Sequence, residues 1–303
     1  MYALNKISEK ANHTGPVYAV CRGPEANTFY SASSDGYAAL WKGPGLEQLH
    51  EAVNAGAPVF AVRYLPAYNW LLAGTASGSL HGVDRNTRTE RFNKYVHPGG
   101  VFDLLLLGPL QMLLVAGADG SVSIWELPAM KLIIQLPLCE GKIRRLMALP
   151  DSGEFAAACG DGTVRIIETS FFNETARLVC GKEGVTSLAL HPSKPVLMAG
   201  DKTAHVHLFE LSGHTRLLSI PAHNFSVYDI QFHPTQPVFA TASRDKTLKL
   251  WNSQTLEVFQ RIGSREGGHT HSVNRLLWLN DTTLITAGDD RRIISWQLSS
   301  GVE

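Results

Sequence analysis

Residues 241–251 read Thr-Ala-Ser-Arg-Asp-Lys-Thr-Leu-Lys-Leu-Trp, and the fold turns on how often that stretch returns. It returns as Ser-Ala-Ser-Ser-Asp-Gly-Tyr-Ala-Ala-Leu-Trp at 31–41 and Val-Ala-Gly-Ala-Asp-Gly-Ser-Val-Ser-Ile-Trp at 115–125. It returns again as Ala-Ala-Cys-Gly-Asp-Gly-Thr-Val-Arg-Ile-Ile at 157–167 and Thr-Ala-Gly-Asp-Asp-Arg-Arg-Ile-Ile-Ser-Trp at 286–296. Each copy is a strand of small residues, a tight turn containing Asp, and a second strand that closes on a large apolar side chain. Two degenerate copies, ending His81-Gly82-Val83-Asp84 and His207-Leu208-Phe209-Glu210, fill the gaps.

The closing residues are Trp41, Val83, Trp125, Ile167, Phe209, Trp251 and Trp296, spaced 42, 42, 42, 42, 42 and 45 apart. His191-Pro192 and His233-Pro234 repeat the 42-residue interval independently. A fixed period of this size marks an array of supersecondary units. Within a unit, a β-rich run (Val17 to Cys21, Val101 to Leu107, Val227 to Phe232) precedes the small-residue strand. A more polar run, such as Lys131 to Leu136 or Leu256 to Ile262, follows the apolar anchor. Four short strands separated by turn residues result, with no sustained helical period.

This pattern resembles the WD40 repeat family, over essentially the whole chain. The resemblance implies an all-β, seven-bladed β-propeller of four-stranded antiparallel blades, occupying residues 1–303 as one domain. The terminal dipeptide of the family drifts here: Trp41-Lys42, Val83-Asp84, Trp125-Glu126, Trp251-Asn252 and Trp296-Gln297 stand where Trp-Asp is usual. Spacing carries the assignment more than the signature does. Repeat seven ends at Leu298 without a fourth strand, and Tyr2 to Glu9 has no repeat of its own. The family lends its N-terminal strand to the last blade, so the ring is expected to close there, removing an open seam.

The family also buries a hydrogen-bonded set of His, Ser or Thr, Asp and Trp. Alignment on the anchors gives three full sets: His13, Ser31, Asp35 and Trp41; His223, Thr241, Asp245 and Trp251; His269, Thr286, Asp290 and Trp296. Repeat three has His97, Asp119 and Trp125 but Val115 at the hydroxyl position, and repeats two, four and five depart further. A catalytic triad is the competing interpretation of such a cluster. Recurrence at equivalent places favours a structural role, because one active site does not need three copies.

Propellers of this family bind peptides on one rim through the starts of their innermost strands. The positions after the first β-branched residue of each repeat are Tyr18, Phe60, Phe102, Arg144, Thr186, Tyr228 and Asn274, and Arg244 occupies the neighbouring turn of blade six. Aromatics flanked by Arg are the usual make-up of an interface hot spot, and Arg suits a carboxylate. The alternative is that these aromatics fill the core, since a one-residue slip reverses the facing of a strand.

Lys plus Arg and Asp plus Glu are 27 each, so no net positive charge favours nucleic-acid binding. The N-terminus lacks the apolar stretch of a signal peptide, and runs such as Leu104 to Leu107 and Leu113 to Ala116 are too short to cross a bilayer. Cys21, Cys139, Cys159 and Cys180 form no Cys-x-x-Cys pair and read as reduced, packed thiols. His205 and His207 share a strand face, but no third metal ligand is evident. His269 and His271 share a face too, with His269 already absorbed by its hydrogen-bonded set. Phosphate-binding, dinucleotide and hydrolase motifs are absent, and Asp-Gly pairs such as Asp119-Gly120 read as hairpin turns. The sequence therefore predicts a cytoplasmic interaction scaffold, monomeric within a complex, with a protein or peptide partner and with no catalytic residue, metal, cofactor, nucleic acid or membrane. A hydrolase with a central-channel site and a nucleic-acid-binding propeller are the alternatives.

Overall fold

The computed structural model describes residues 2–149 and 152–300. The expected domain span runs past them at Met1 and residues 301–303, which lie outside the described residues. Among those described, the strands form seven four-stranded antiparallel sheets. Blade six shows the plan: an inner strand Val227–Phe232, then Val238–Ser243, Leu248–Asn252 and an outer strand Val258–Ile262. The outer strand starts two residues later than its sequence suggests, because Leu256 takes a φ of 61° and belongs to the turn. Inner strands of successive blades pack on one another around the full circle, including blade seven against blade one. They therefore surround a common axis.

The small-residue strand is explained by what lies against it. A Cβ on Gly74 would sit 2.4 Å from Cγ1 of Val101, the first residue of the next blade's inner strand. Gly200 meets Val227 in the same way, at 2.8 Å. Small side chains let each blade close onto its neighbour. Each of seven apolar clusters joins residues of two adjacent blades, so the core is divided among the seams. Phe239 stacked on Trp251 at 5.6 Å is one such anchor. Each large side chain so buried contributes about 1.5–3 kcal/mol.

The ring closes as the strand count requires. Tyr2–Lys10 pairs antiparallel with Ile293–Ser300, from Tyr2 opposite Ser300 to Lys10 opposite Ile293. It becomes the outer strand of blade seven, whose other members are Thr283–Gly288 and Val273–Trp278. Leu4 is buried among Trp296, Leu298, Leu250 and Val238. The backbone N–H of Leu4 donates to Gln260 Oε1 of blade six at 2.7 Å, tying the strand across the seam.

Candidate functional site

At one end of the axis the inner-strand starts surround an open depression of about 310 Å³. Tyr18, Phe60, Phe102, Arg144, Thr186, Tyr228 and Asn274 all line it, one from each blade. Lys142, Arg275 and Asp289 complete it and were not singled out from the sequence. Arg244 is not among the lining residues. It lies outside, exposed, with its guanidinium 6.0 Å from the ring of exposed Phe225.

A backbone irregularity presents these side chains. In six blades the ladder between the first two strands shifts register across the residue in question: Tyr18, Phe60, Phe102, Thr186, Tyr228 and Asn274. Such a bulge leaves one residue unpaired and turns the strand locally. The flanking Val17 and Ala19 remain buried while Tyr18 between them is half-exposed.

The side chains then divide by chemistry. Tyr18 meets Phe60 edge-on at 5.2 Å, and Phe60 stacks on Phe102 at 5.3 Å, giving an aromatic wall over blades one to three. Lys142 Nζ and Arg144 Cζ lie 5.0 and 5.2 Å from the Phe102 ring centroid, both within cation–π reach. Burial disfavours the charged form of Lys142, and repulsion by Arg144 and Lys202 adds to it, so its ammonium titrates below its usual range. Burial lowers Arg144 likewise. Opposite, Asn274 Nδ2 donates to Asp289 Oδ1 at 2.7 Å and to the Val17 carbonyl at 2.9 Å. Burial, followed by the charge of Asp289 and by Tyr228, raises the Tyr18 hydroxyl above its usual range. The depression thus offers an aromatic face and mutually repelling cations, with a single carboxylate on the far side.

The buried polar sets lie inside the blades. Trp41 Nε1 donates to Ser31 Oγ at 2.7 Å, Ser31 Oγ is 2.7 Å from His13 Nε2, and His13 Nδ1 is 2.8 Å from Asp35 Oδ2. The chain Trp251, Thr241, His223, Asp245 has distances of 2.8, 2.7 and 3.1 Å. The chain Trp296, Thr286, His269, Asp290 has 3.0, 2.9 and 2.8 Å. Each runs in one consistent direction, from indole N–H through hydroxyl to imidazole, with Nδ1–H donating to carboxylate. Blade three completes a fourth set from a residue the alignment missed: Ser123 Oγ is 2.9 Å from His97 Nε2. The signal was present as Ser-x-Trp at 123–125.

His207 is committed internally, with Nδ1 at 2.7 Å from Ser219 Oγ and Nε2 at 3.2 Å from Asp201 Oδ2. His205 turns its Nδ1 toward Thr203. All four cysteines carry free thiols. No helix among the described residues is long and apolar enough to cross a membrane.

Residues 5–42, 206–252 and 260–297 match the WD domain, G-beta repeat. The chain is 22% identical over 193 residues to a striatin homolog of Dictyostelium discoideum, covering 59% of this chain and 23% of that protein. It is 24% identical over 218 residues to the methylosome protein WDR77 of Xenopus laevis, covering 70% and 64%. It is 25% identical over 257 residues to WD repeat-containing protein 37 of Homo sapiens, covering 76% and 46%. The chain spans less than two thirds of the length of each of these relatives. Three regions of the chain thus match WD40 repeats, and among the described residues they sit in a seven-bladed β-propeller closed by the N-terminal strand.

Proposed function

We propose that this propeller is a non-catalytic interaction scaffold that takes a segment of a partner protein on the axial depression. The segment would carry an acidic group next to an apolar or aromatic side chain. One observation carries this reading: a position from every blade converges on one depression, where stacked aromatics abut Lys142 and Arg144. Half-exposed aromatics next to Arg are the residues that dominate binding energy at interfaces. A carboxylate would relieve the repulsion between the two cations and accept from the guanidinium fork. The name of the methylosome relative is in keeping with a subunit of a larger assembly. A cytoplasmic location rests on the four free thiols and belongs to this proposal. No arrangement among the described residues favours the hydrolase or nucleic-acid alternatives.

The test is selection from a displayed library of random peptides. Binders should share an acidic residue beside an apolar one, and should be lost on the folded Phe60→Ala/Phe102→Ala protein and weakened by Arg144→Gln. Binders retained equally by all three proteins would refute the assignment.

A further inference from the structure

Blade four has a cysteine where its neighbour has the buried histidine. Cys139 follows His97 by 42 residues, and Asp161 follows Asp119 by the same interval. The backbone agrees: His97 N–H donates to the Gly78 carbonyl and Cys139 N–H to that of Gly120, both at 3.2 Å. The thiol therefore points toward the carboxylate as the imidazole does elsewhere. A second thiol joins it, for Cys139 Sγ, Cys159 Sγ and an Asp161 carboxylate oxygen all lie within 4.8 Å of one another. Cys159 is buried and Cys139 half-buried, so a small reagent can reach one member of the pair.

The carboxylate is already committed. Asp161 Oδ1 accepts from the N–H and hydroxyl of Thr163, and Oδ2 accepts from Arg165 Nη2 at 2.7 Å. A guanidinium on the ligand that a cation would need argues against a metal centre and for thiol chemistry. The neighbouring Cys159 thiol draws the Cys139 thiol down to about 7, with the Gly160 N–H assisting against burial, while the two thiols, Cys139 and Cys159, donate to the Gly141 and Ala157 carbonyls at 3.7 and 3.6 Å. Burial pushes Cys21 and Cys180 up to about 11 and about 12. Thiolate is the attacking species, which singles Cys139 out from the other sulfurs.

We propose that Cys139 and Cys159 form a redox modification site, closing to a reversible disulfide by exchange with a low-molecular-weight disulfide such as oxidised glutathione. The Cys139 thiolate attacks one glutathione sulfur and expels one glutathione thiolate. The Cys159 sulfur, giving up its proton, attacks the Cys139 sulfur of the mixed disulfide and expels the second. Two protein thiols are oxidised, one glutathione disulfide is reduced to two thiols, and the two protein protons pass to the leaving groups. Cys139 opens the loop that carries Lys142 and Arg144, so the bond tethers the cationic side of the depression to the strand end beneath it.

The test needs no partner and stands apart from the binding proposal. Native protein is equilibrated with oxidised glutathione, quenched by alkylation, and read by intact mass and peptide mapping. The expected result is a loss of about 2 Da, a Cys139–Cys159 linked peptide, and reversal by dithiothreitol. Cys21 and Cys180 should alkylate only after unfolding. Cys159→Ser should hold glutathione on Cys139 as a trapped mixed disulfide, which a packing role would not produce. A native protein that keeps all four thiols free would overturn the proposal, as would a link formed only in denaturant. Stoichiometric retention of zinc, supplied alone and lost in Cys139→Ser, would also overturn it.

Discussion

Trp125 donates its indole N–H to Ser123 Oγ at 2.8 Å, two residues back on the same strand. Trp41, Trp251 and Trp296 each reach a hydroxyl ten residues back, on the adjacent strand. Val115 lies directly opposite Ser123 in the ladder, so the hydroxyl has crossed from one strand to its partner while the network kept its shape. Ser123→Ala should therefore cost about 1–3 kcal/mol, the penalty of orphaned buried groups. Adding Val115→Thr should recover most of that loss. Urea unfolding of the two variants checks it; a Ser123→Ala protein as stable as wild type would show that the hydroxyl is dispensable.

Two groups of the blade-six set give stability a pH dependence. Burial pushes the Asp245 carboxyl up, but hydrogen bonds from His223, the Asn224 N–H and Thr247 outweigh it and hold it below the usual range. An unfolded Asp titrates near about 3.9, so this contribution is whole above that pH and is lost as pH falls below it. Burial, outweighing its bond to Asp245, lowers the His223 imidazole, so the fold favours the neutral ring. That contribution is whole above about 6.5 and is also lost on acidification. Unfolding free energy measured against pH should fall below about 6.5 and again below about 4. Asp245→Asn should be less stable at neutral pH and flatter at the acid end; a curve parallel to wild type would contradict this.

Ring closure places the N-terminal strand in the core. Leu4→Ala should destabilise by about 2–4 kcal/mol, as for other buried large-to-small changes. Deleting residues 1–10 should lower the whole unfolding transition instead of fraying one end. Differential scanning calorimetry distinguishes the two: an unchanged main transition after deletion would mean the strand is an accessory.

The period, the blade count and the closing strand were legible in the sequence because they rest on volume and spacing, which recur every 42 residues. The positions around the depression were legible for the same reason. The bulges at Tyr18, Phe60 and Phe102 were not legible, because they are set by backbone geometry between strands. Lys142, Arg275 and Asp289 escaped notice because they reach the depression from different places in the repeat. Ser123 was missed because aligning along the chain cannot show that position 123 faces position 115.

Asp229 binds blades across the channel. It is fully buried, accepts from the Leu276 N–H at 3.0 Å, and lies 3.4 Å from Arg145 Nη2, with Asp103 3.9 Å from Arg145 Nη1 on the other side. Asp229→Ala leaves a guanidinium and a backbone N–H without that partner and should cost about 3–5 kcal/mol. Equilibrium unfolding reads this directly, and a loss below about 1 kcal/mol would place Arg145 in effective contact with water.

The most direct test of the scaffold assignment is affinity capture from a lysate of the source organism, run in parallel on wild type and the Phe60→Ala/Phe102→Ala protein, with matching circular dichroism to show both are folded. The account predicts a partner retained by wild type and lost from the double variant. A partner retained equally by both would place the interaction elsewhere on the propeller and contradict the assignment of the axial depression.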